Sequence, residues 1–268
     1  MCSRRDPWKG DGVNDPKRLF DLTGRVALVT GGSRGLGREM VLAFAAAGAD
    51  LVIASRKLEA CEATAEEVRS TTGRRALPVA AHMARWEDAG ALAEAAYAEF
   101  GKVDVLVNNA GMSPTYPDPA SVSEELWDKV LGVNLKGPFR LTALVGTRMA
   151  QGDGGSVINI SSSAARFPRP GVIPYAAAKA GLNAMTVAFA HAWPNVRVNS
   201  ILPGTFLTDI SKAWDQDAFA RQAQAFALKR GGEPHEIVGP ALYLASDASS
   251  YTTGALIDVD GGYLPTPE

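Results

Sequence analysis

The chain alternates short, continuous apolar runs with longer segments in which apolar residues recur at every third or fourth position. The runs are rich in aliphatic and β-branched residues without polar alternation, which is typical of strands buried on both faces of a parallel sheet. Strands are predicted at residues 25–30, 50–55, 76–81, 103–107 and 196–201, with a last strand inside 251–262. The segments between them, such as residues 36–47 and 86–100, are predicted to be helices.

This alternation predicts an α/β fold, a single-domain doubly wound (Rossmann) parallel sheet of about seven strands flanked by helices on both faces. A chain of 268 residues is long enough for one such domain, which we place at residues 22–268. Residues 1–21 are polar and are interpreted as an N-terminal arm. Arg4 and Arg5 are not followed by an apolar segment before Val26, so we expect no export signal and a cytoplasmic protein.

Composition excludes several classes of function. Acidic and basic residues nearly cancel, 29 against 27, so no basic surface for nucleic acid is expected. No apolar run reaches the length of a membrane span. Cys2 and Cys61 are too few for a disulfide framework, and the three histidines lack ligand spacing, so no metal site is predicted.

A glycine-rich turn follows the first predicted strand and begins a helix. Glycines let backbone amides approach a pyrophosphate, and the helix N-terminus offers unpaired N–H groups to it. Glycines also end strands for steric reasons, so it is the position at the first strand–helix junction that favours a dinucleotide site. The candidate cofactor residues are Gly31, Ser33, Arg34, Gly35, Leu36 and Gly37.

The end of the second predicted strand indicates which dinucleotide binds. An acidic residue about 20 residues after the glycines bonds the ribose of NAD, whereas arginine accommodates the 2′-phosphate of NADP. The chain has Ser55, Arg56 and Lys57 here and no carboxylate before Glu59. With Arg34 in the turn, the cations either converge on the extra phosphate or form a solvated cluster. We expect NADP(H) to be preferred over NAD(H).

Tyr175 and Lys179 lie four residues apart in a predicted helix, so both side chains should leave the same face. A tyrosine has an ordinary pKa of about 10, and a nearby cation favours its phenolate. Ser162, after an apolar run, is placed to hydrogen-bond the oxygen that Tyr175 protonates. Taken alone, such a Tyr–Lys pair is also common on amphipathic helices.

Several motifs follow one another in a fixed order. They are Thr30-Gly31-x-x-x-Gly35-x-Gly37, Asn108-Asn109-Ala110-Gly111, Asn134, Ser162, Tyr175-x-x-x-Lys179, Pro203-Gly204 and Asp260-Gly261-Gly262. Together they resemble the short-chain dehydrogenase/reductase family over residues 22–262. The resemblance implies a catalytic tetrad of Asn134, Ser162, Tyr175 and Lys179. In that scheme Tyr175 is the acid/base and Ser162 polarises the substrate oxygen. Lys179 lowers the tyrosine pKa and bonds the nicotinamide ribose, and Asn134 holds a water.

The resemblance also implies further cofactor contacts and an assembly. The additional contacts are Asn109, Ala110, Gly111, Pro203, Gly204 and Thr208. Where relatives commonly have an aspartate near adenine, this chain has His82 followed by Met83, and both are candidates. His82 either contacts adenine or is a packed histidine. A homotetramer is implied, and it suits the alanine- and leucine-rich helices near residue 123 and at 179–192.

Two segments are predicted to border the substrate, residues 112–119 and residues 205–230. The aromatics of the second segment, which include Trp214 and Phe226, either exclude water from the substrate or form the core of two short helices. Arg166 and Arg169 are the nearest cations, and each either meets a substrate carboxylate or faces solvent.

The sequence therefore predicts an NADP(H)-dependent oxidoreductase for a small-molecule carbonyl or secondary alcohol substrate, with neither nucleic acid nor membrane as a partner. Candidate substrates are a 3-oxoacyl thioester, a sugar acid such as gluconate, and a bulky alcohol such as a steroid. An NAD-dependent alcohol or sugar-acid dehydrogenase is the alternative. A catalytically silent dinucleotide-binding sensor or scaffold is the alternative from another class.

Overall fold

The structure is a computed structural model, and it describes residues 16–208 and 216–263. Parallel strands form its centre: β1 (Val26–Thr30), β2 (Asp50–Ser55), β3 (Ala76–Ala80), β4 (Val105–Asn108), β5 (Gly155–Ile160), β6 (Val196–Pro203) and β7 (Leu256–Val259). They form one seven-stranded sheet in the order β3-β2-β1-β4-β5-β6-β7, and all neighbours are parallel. The predicted fold class is confirmed. The chain order reverses between β1 and β4, where doubly wound sheets hold ligands.

Helices cover both faces of this sheet. They are α1 (Pro16–Leu19), α2 (Gly35–Ala46), α3 (Leu58–Thr72), α4 (Trp86–Phe100), α5 (Glu124–Leu131), α6 (Gly137–Gln151), α7 (Ile173–Ala190), α8 (Gln216–Ala223) and α9 (Val238–Ala245). A π-helical turn at Gly132–Lys136 joins α5 to α6. Within the described residues, no helix combines the length and the apolar character that a bilayer crossing requires.

The core consists of two layers, because successive strand residues point to opposite sides of the sheet. Val29 and Ile53 are fully buried in the layer that α2, α3 and α9 cover. Leu28 and Val52 are fully buried in the layer that α4 and α6 cover. Burial on both faces explains why the strands appear in the sequence as continuous apolar runs.

The start of the fourth strand differs from the prediction for a local reason. The fourth strand was expected at residues 103–107, but β4 begins at Val105. The Asp104 carboxylate instead accepts a hydrogen bond from the Val26 amide, at 2.8 Å. At the N-terminus, residues 1–15 of the predicted arm lie outside the described residues, whereas Leu22 is fully buried and its amide donates to Ala47. The arm and the domain boundary stay predictions.

A row of buried polar side chains crosses the layer beneath α6 and α7. The Asn108 amide donates to Thr142 Oγ1 at 2.9 Å and to Asn159 Oδ1 at 2.8 Å. Asn159 Nδ2 in turn donates to Thr186 Oγ1 at 2.9 Å. The row joins β4 and β5 to α6 and α7 immediately behind the carboxyl edge of the sheet.

Candidate active site

Tyr175 and Lys179 lie one turn apart on α7, close to the carboxyl end of β5. The ammonium nitrogen of Lys179 lies 5.7 Å from the centroid of the Tyr175 ring. Only 3% of Lys179 is exposed, and its Nζ donates to the Ile160 carbonyl at 2.7 Å. The end of the strand therefore fixes the lysine next to the tyrosine, as the four-residue spacing predicts.

Ser162 lies just beyond β5 and meets the same tyrosine. Its hydroxyl is close enough to the Tyr175 phenol to lower the pKa of that group. It also accepts the Ala164 amide at 3.1 Å, within a short 3₁₀ turn that begins after it. A serine and a tyrosine hydroxyl thus converge on one point, where they can together contact a single substrate oxygen.

The electrostatics of this pair differ from the expectation. Burial raises the pKa of Tyr175 above its usual value, although the hydrogen bond with Ser162 lowers it in part. Burial lowers the pKa of Lys179 to about 7. The expected depression of the tyrosine pKa by Lys179 is therefore not what the structure shows. The reason is that burial disfavours the charged form of both groups, while the lysine donates to a carbonyl.

Asn134 lies on the π-helical turn and is fully buried. Its Nδ2 donates to the carbonyls of Val130 at 2.9 Å and Met112 at 2.8 Å, and its Oδ1 accepts the Met112 amide at 3.3 Å. A Cβ placed on Gly111 would lie 3.0 Å from Asn134 Oδ1 and 3.7 Å from Lys179 Nζ. The structure thus brings Asn134 close to Lys179, and all four tetrad residues are neighbours.

The glycine turn after β1 is tightly closed. Gly31 has a φ of 65°, and a Cβ on Gly37 would lie 2.1 Å from the Gly31 carbonyl oxygen. Asn109 Nδ2 donates to the carbonyls of Thr30 at 2.9 Å and Gly31 at 3.1 Å. The Asn109 side-chain amide therefore supports the turn. A cofactor contact from residues 109–111 would have to come from atoms other than Asn109 Nδ2.

Thr30, the last residue of β1, holds the site's backbone in place and was not among the predicted site residues. Its Oγ1 accepts the amides of Asn109 at 3.0 Å and Ala110 at 3.1 Å, and it donates to the Val107 carbonyl at 3.2 Å. It joins the β1 and β4 ends where the strand order reverses. The signal available in the sequence was a hydroxyl residue directly before the glycines.

The predicted phosphate region contains both hydroxyls and cations. Ser33 donates to Ser55 Oγ at 3.0 Å, so these two hydroxyls are adjacent. Arg34 and Arg56 are both exposed, and among the described residues neither has an ion-pair partner. Thr208 covers the other side of the turn, because its Cγ2 lies 3.7 Å from a Cβ placed on Gly35.

His82 and Met83 have local roles that are visible in the structure. The His82 ring accepts the Ala84 amide through Nδ1 at 3.2 Å, and its own amide donates to Asp88 at 2.8 Å. The histidine therefore organises the turn before α4. Met83 is only 5% exposed and belongs to the core. An adenine contact by either residue stays a prediction.

The remaining predicted cofactor residues lie at sheet ends or next to them. Leu36 is half-buried and packs against the core, and Gly35 begins α2. Pro203 ends β6, and the Gly204 amide donates to the Val259 carbonyl at 3.0 Å. Gly204 has no space for a side chain, because a Cβ there would lie 2.7 Å from Asp260 Cα.

Tyr116 connects two walls of the expected substrate cleft. Its hydroxyl donates to the Pro170 carbonyl at 2.6 Å and accepts the Ile173 amide at 2.7 Å. It thus ties residues 112–119 to the first turn of α7. In the other wall, Phe206 and Phe226 are 7% and 2% exposed, so these two belong to the core. Trp214 lies outside the described residues.

The two arginines between Ser162 and Tyr175 have different partners. Arg166 Nε forms an ion pair with Asp258 Oδ1 at 3.1 Å. Arg169 donates to the Tyr263 hydroxyl, and its guanidinium carbon lies 5.3 Å from the centre of that ring. Neither side chain simply faces solvent.

The residues around the β1–β4 switch point suit a dinucleotide. The closed glycine turn excludes side chains at Gly31 and Gly37, as close approach of a pyrophosphate requires. Two exposed arginines lie beside it, and the hydroxyls of Ser162 and Tyr175 lie at the far end, after β5. Within the described ranges, no group of three histidine, cysteine or acidic side chains is arranged to hold a metal ion.

Comparison with known proteins places the chain in a family. The model of the short chain dehydrogenases matches residues 25–218. The short chain dehydrogenase/reductase astE of Aspergillus oryzae is 39% identical over 253 residues, which are 92% of this chain and 97% of that protein. The 2-dehydro-3-deoxy-D-gluconate 5-dehydrogenase of Dickeya dadantii is 39% identical over 250 residues, 91% of this chain and 97% of that protein.

A solved structure gives the same assignment. The NADPH-dependent 3-quinuclidinone reductase of Rhodotorula rubra matches with a TM-score of 0.89 and 30% identity, over 94% of this chain and 96% of that one. The motifs, the sheet order and these similarities agree. The chain belongs to the short-chain dehydrogenase/reductase family and is an oxidoreductase that acts on CH–OH groups or the corresponding carbonyls.

Proposed function

We propose that this enzyme transfers a hydride between NADP(H) and a small carbonyl or secondary alcohol substrate, with Tyr175 as the acid/base. The observation that carries the proposal is the convergence of the Ser162 and Tyr175 hydroxyls beside a buried Lys179. The bound dinucleotide supplies the hydride or accepts it. A sensor or scaffold that only bound the dinucleotide would need no such proton-transferring group.

In the reductive direction, Tyr175 donates its proton to the substrate oxygen. Its raised pKa keeps the phenol protonated at neutral pH, so the donor is ready before the substrate binds. Ser162 donates a hydrogen bond to the same oxygen and stabilises the negative charge that develops there. Lys179, with a pKa of about 7, is able to return a proton to the tyrosine near neutral pH. The water-holding role of Asn134 stays a prediction.

The test of this function is Tyr175→Phe. The variant keeps the ring and loses the proton, so we expect at least a 100-fold fall in kcat, as general acid–base catalysis contributes about 10²- to 10⁴-fold. NADPH binding, measured by fluorescence titration, should change less than about threefold. Substantial turnover by the variant, over a panel of ketones, would remove Tyr175 from the mechanism. A wild-type protein that binds NADPH but reduces no ketone would favour the sensor.

The preference for NADP(H) is supported by Arg34 and Arg56. Both are exposed next to the adjoining hydroxyls of Ser33 and Ser55, and no described carboxylate neutralises them. The Rhodotorula rubra relative is NADPH-dependent. Because charge-assisted hydrogen bonds to phosphate contribute about 1.5–3 kcal/mol each, the double variant Arg34→Ala/Arg56→Ala should lose at least tenfold more affinity for NADPH than for NADH. Equal losses in calorimetry would contradict the 2′-phosphate assignment and favour the NAD-dependent alternative.

We also propose that the enzyme assembles as a homotetramer. An apolar groove lined by Leu131, Leu135, Phe139 and Met185 opens between α5, α6 and α7. Phe139 itself is 42% exposed, which is costly for a large apolar side chain left in water. Light scattering on the purified protein should give four times the 28.2 kDa chain mass. The cytoplasmic location stays a prediction.

A further inference from the structure

Arg166 and Arg169 lie three residues apart in the loop between Ser162 and Tyr175, yet their charges are balanced differently. Arg166 pairs with the carboxylate of Asp258. Arg169 contacts only the hydroxyl and the ring face of Tyr263, which carry no formal charge. Among the described residues no carboxylate lies within ion-pair distance of Arg169. Because a guanidinium group carries a positive charge, this loop has one positive charge that no described carboxylate neutralises.

Tyr263 is itself held firmly, which makes it a suitable support for that charge. Its ring makes edge contacts with Phe167 and Phe226, each with ring centroids 5.5 Å apart. Its backbone pairs with Phe226 in an antiparallel bridge, and the preceding Gly262 accepts the Ala227 amide at 3.1 Å. The exposed guanidinium of Arg169 therefore lies against a tyrosine ring that its own neighbours hold in place.

The strand order places this charge on the same side of the switch point as Ser162. Ser162 and the Arg169 loop follow β5, and the segment with Tyr263 follows β7, two strands further along the sheet. The glycine turn and the phosphate region follow β1 and β2, on the other side of the switch point. A cation in this loop is thus placed for a substrate group rather than for the dinucleotide phosphates.

We infer that Arg169, positioned by Tyr263, recognises a carboxylate on the substrate, and that the natural substrate is an oxo acid or hydroxy acid. The inference rests on the proposed function of the same site and specifies its substrate class. A planar guanidinium matches a carboxylate through two parallel hydrogen bonds. A neutral ketone or a steroid alcohol would leave this charge without a partner.

The experiment compares matched acids and esters. Levulinate and its methyl ester, with the 3-oxo and 5-oxo homologues, are assayed with NADPH for wild type, Arg169→Met, Arg166→Met and Tyr263→Phe. We expect the wild-type kcat/KM for at least one acid to exceed that of its ester about tenfold or more, mostly through KM. Arg169→Met should lose this ratio, and Tyr263→Phe should reduce it. Arg166→Met, the matched control, should keep it.

Binding gives a second measure that does not depend on turnover. Calorimetry of the same acids and esters with the complex of NADPH and the Tyr175→Phe enzyme should show tighter binding of the acid than of its ester. The double variant Tyr175→Phe/Arg169→Met should bind both equally. Two results would overturn the inference and leave Arg169 with a structural role only. One is equal wild-type kcat/KM and affinity for acid and ester, and the other is a fall of both by the same factor in Arg169→Met. If calorimetry shows tighter binding of the acids but no ketone is reduced, the proposed function is wrong, whereas the carboxylate contact at Arg169 is supported.

Discussion

The buried lysine of the active site gives a prediction about stability that can be measured without substrate or dinucleotide. Burial lowers the pKa of Lys179 from 10.5 to about 7 in the folded protein. In the unfolded chain the amine regains its ordinary pKa. Between these two values the unfolded state binds one proton more than the folded state, so the free energy of unfolding rises with pH in that window.

The size of the effect follows from this single proton. Each pH unit inside the window contributes about 1.4 kcal/mol. The folded-state amine is half titrated near pH 7, so the gain between pH 7 and pH 9 is about 2 kcal/mol. Lys179→Met removes the titrating group and therefore this gain. Other groups are common to both proteins and cancel in the difference between them.

The assay is urea unfolding followed by tryptophan fluorescence, at pH 7, 8 and 9. The wild-type free energy of unfolding should rise by about 2 kcal/mol more than that of Lys179→Met over this range. Tyr175→Phe is the control and should follow the wild type, because burial raises the pKa of that phenol above the range. Parallel curves for wild type and Lys179→Met would show that the lysine keeps its ordinary pKa when buried, and would refute the proton-return step.

Two further changes test the geometry around the site. Gly37→Ala places a Cβ 2.1 Å from the Gly31 carbonyl, so the turn must open; we expect NADPH affinity to fall at least tenfold in fluorescence titration, whereas Gly90→Ala, with open space around its Cβ, should bind normally. Tyr116→Phe leaves the Pro170 carbonyl and the Ile173 amide without the hydroxyl that they share. We expect kcat/KM to fall about 5- to 30-fold, from the loss of about 1–2 kcal/mol, and an unchanged value would show that these two hydrogen bonds do not position α7.

The parts of the molecule that sequence could predict are those fixed by local periodicity. Strands buried on both faces appear as continuous apolar runs, and the four-residue spacing of Tyr175 and Lys179 places them on one helix face. Local periodicity could not predict whether the pKa of Tyr175 is raised or lowered. That direction depends on how deeply the pair is buried and on the Ile160 carbonyl that takes the lysine, and both are tertiary features.

Contacts between distant loops could not be predicted from the sequence either. Tyr116 and Tyr263 meet their partners 54 and 94 residues away, and neither lies in a periodic segment. Asn134 was placed only by resemblance, because a π-helical turn has no simple periodic signal. The turn begins at Gly132 and is followed by Gly137, where a Cβ would lie 2.0 Å from the Met83 carbonyl oxygen, so this second position has no space for a side chain.

The amide and hydroxyl row through Asn108, Asn159 and Thr186 has a consequence for redesign. Purely aliphatic neighbours would tolerate a two-residue slip between β4 and β5, since the same face would stay apolar. The row permits only the alignment in which Asn108 lies opposite Asn159. The row therefore fixes the strand register below the Ser162 and Tyr175 hydroxyls. Loops exchanged from related dehydrogenases should change which substrate binds without moving these two hydroxyls.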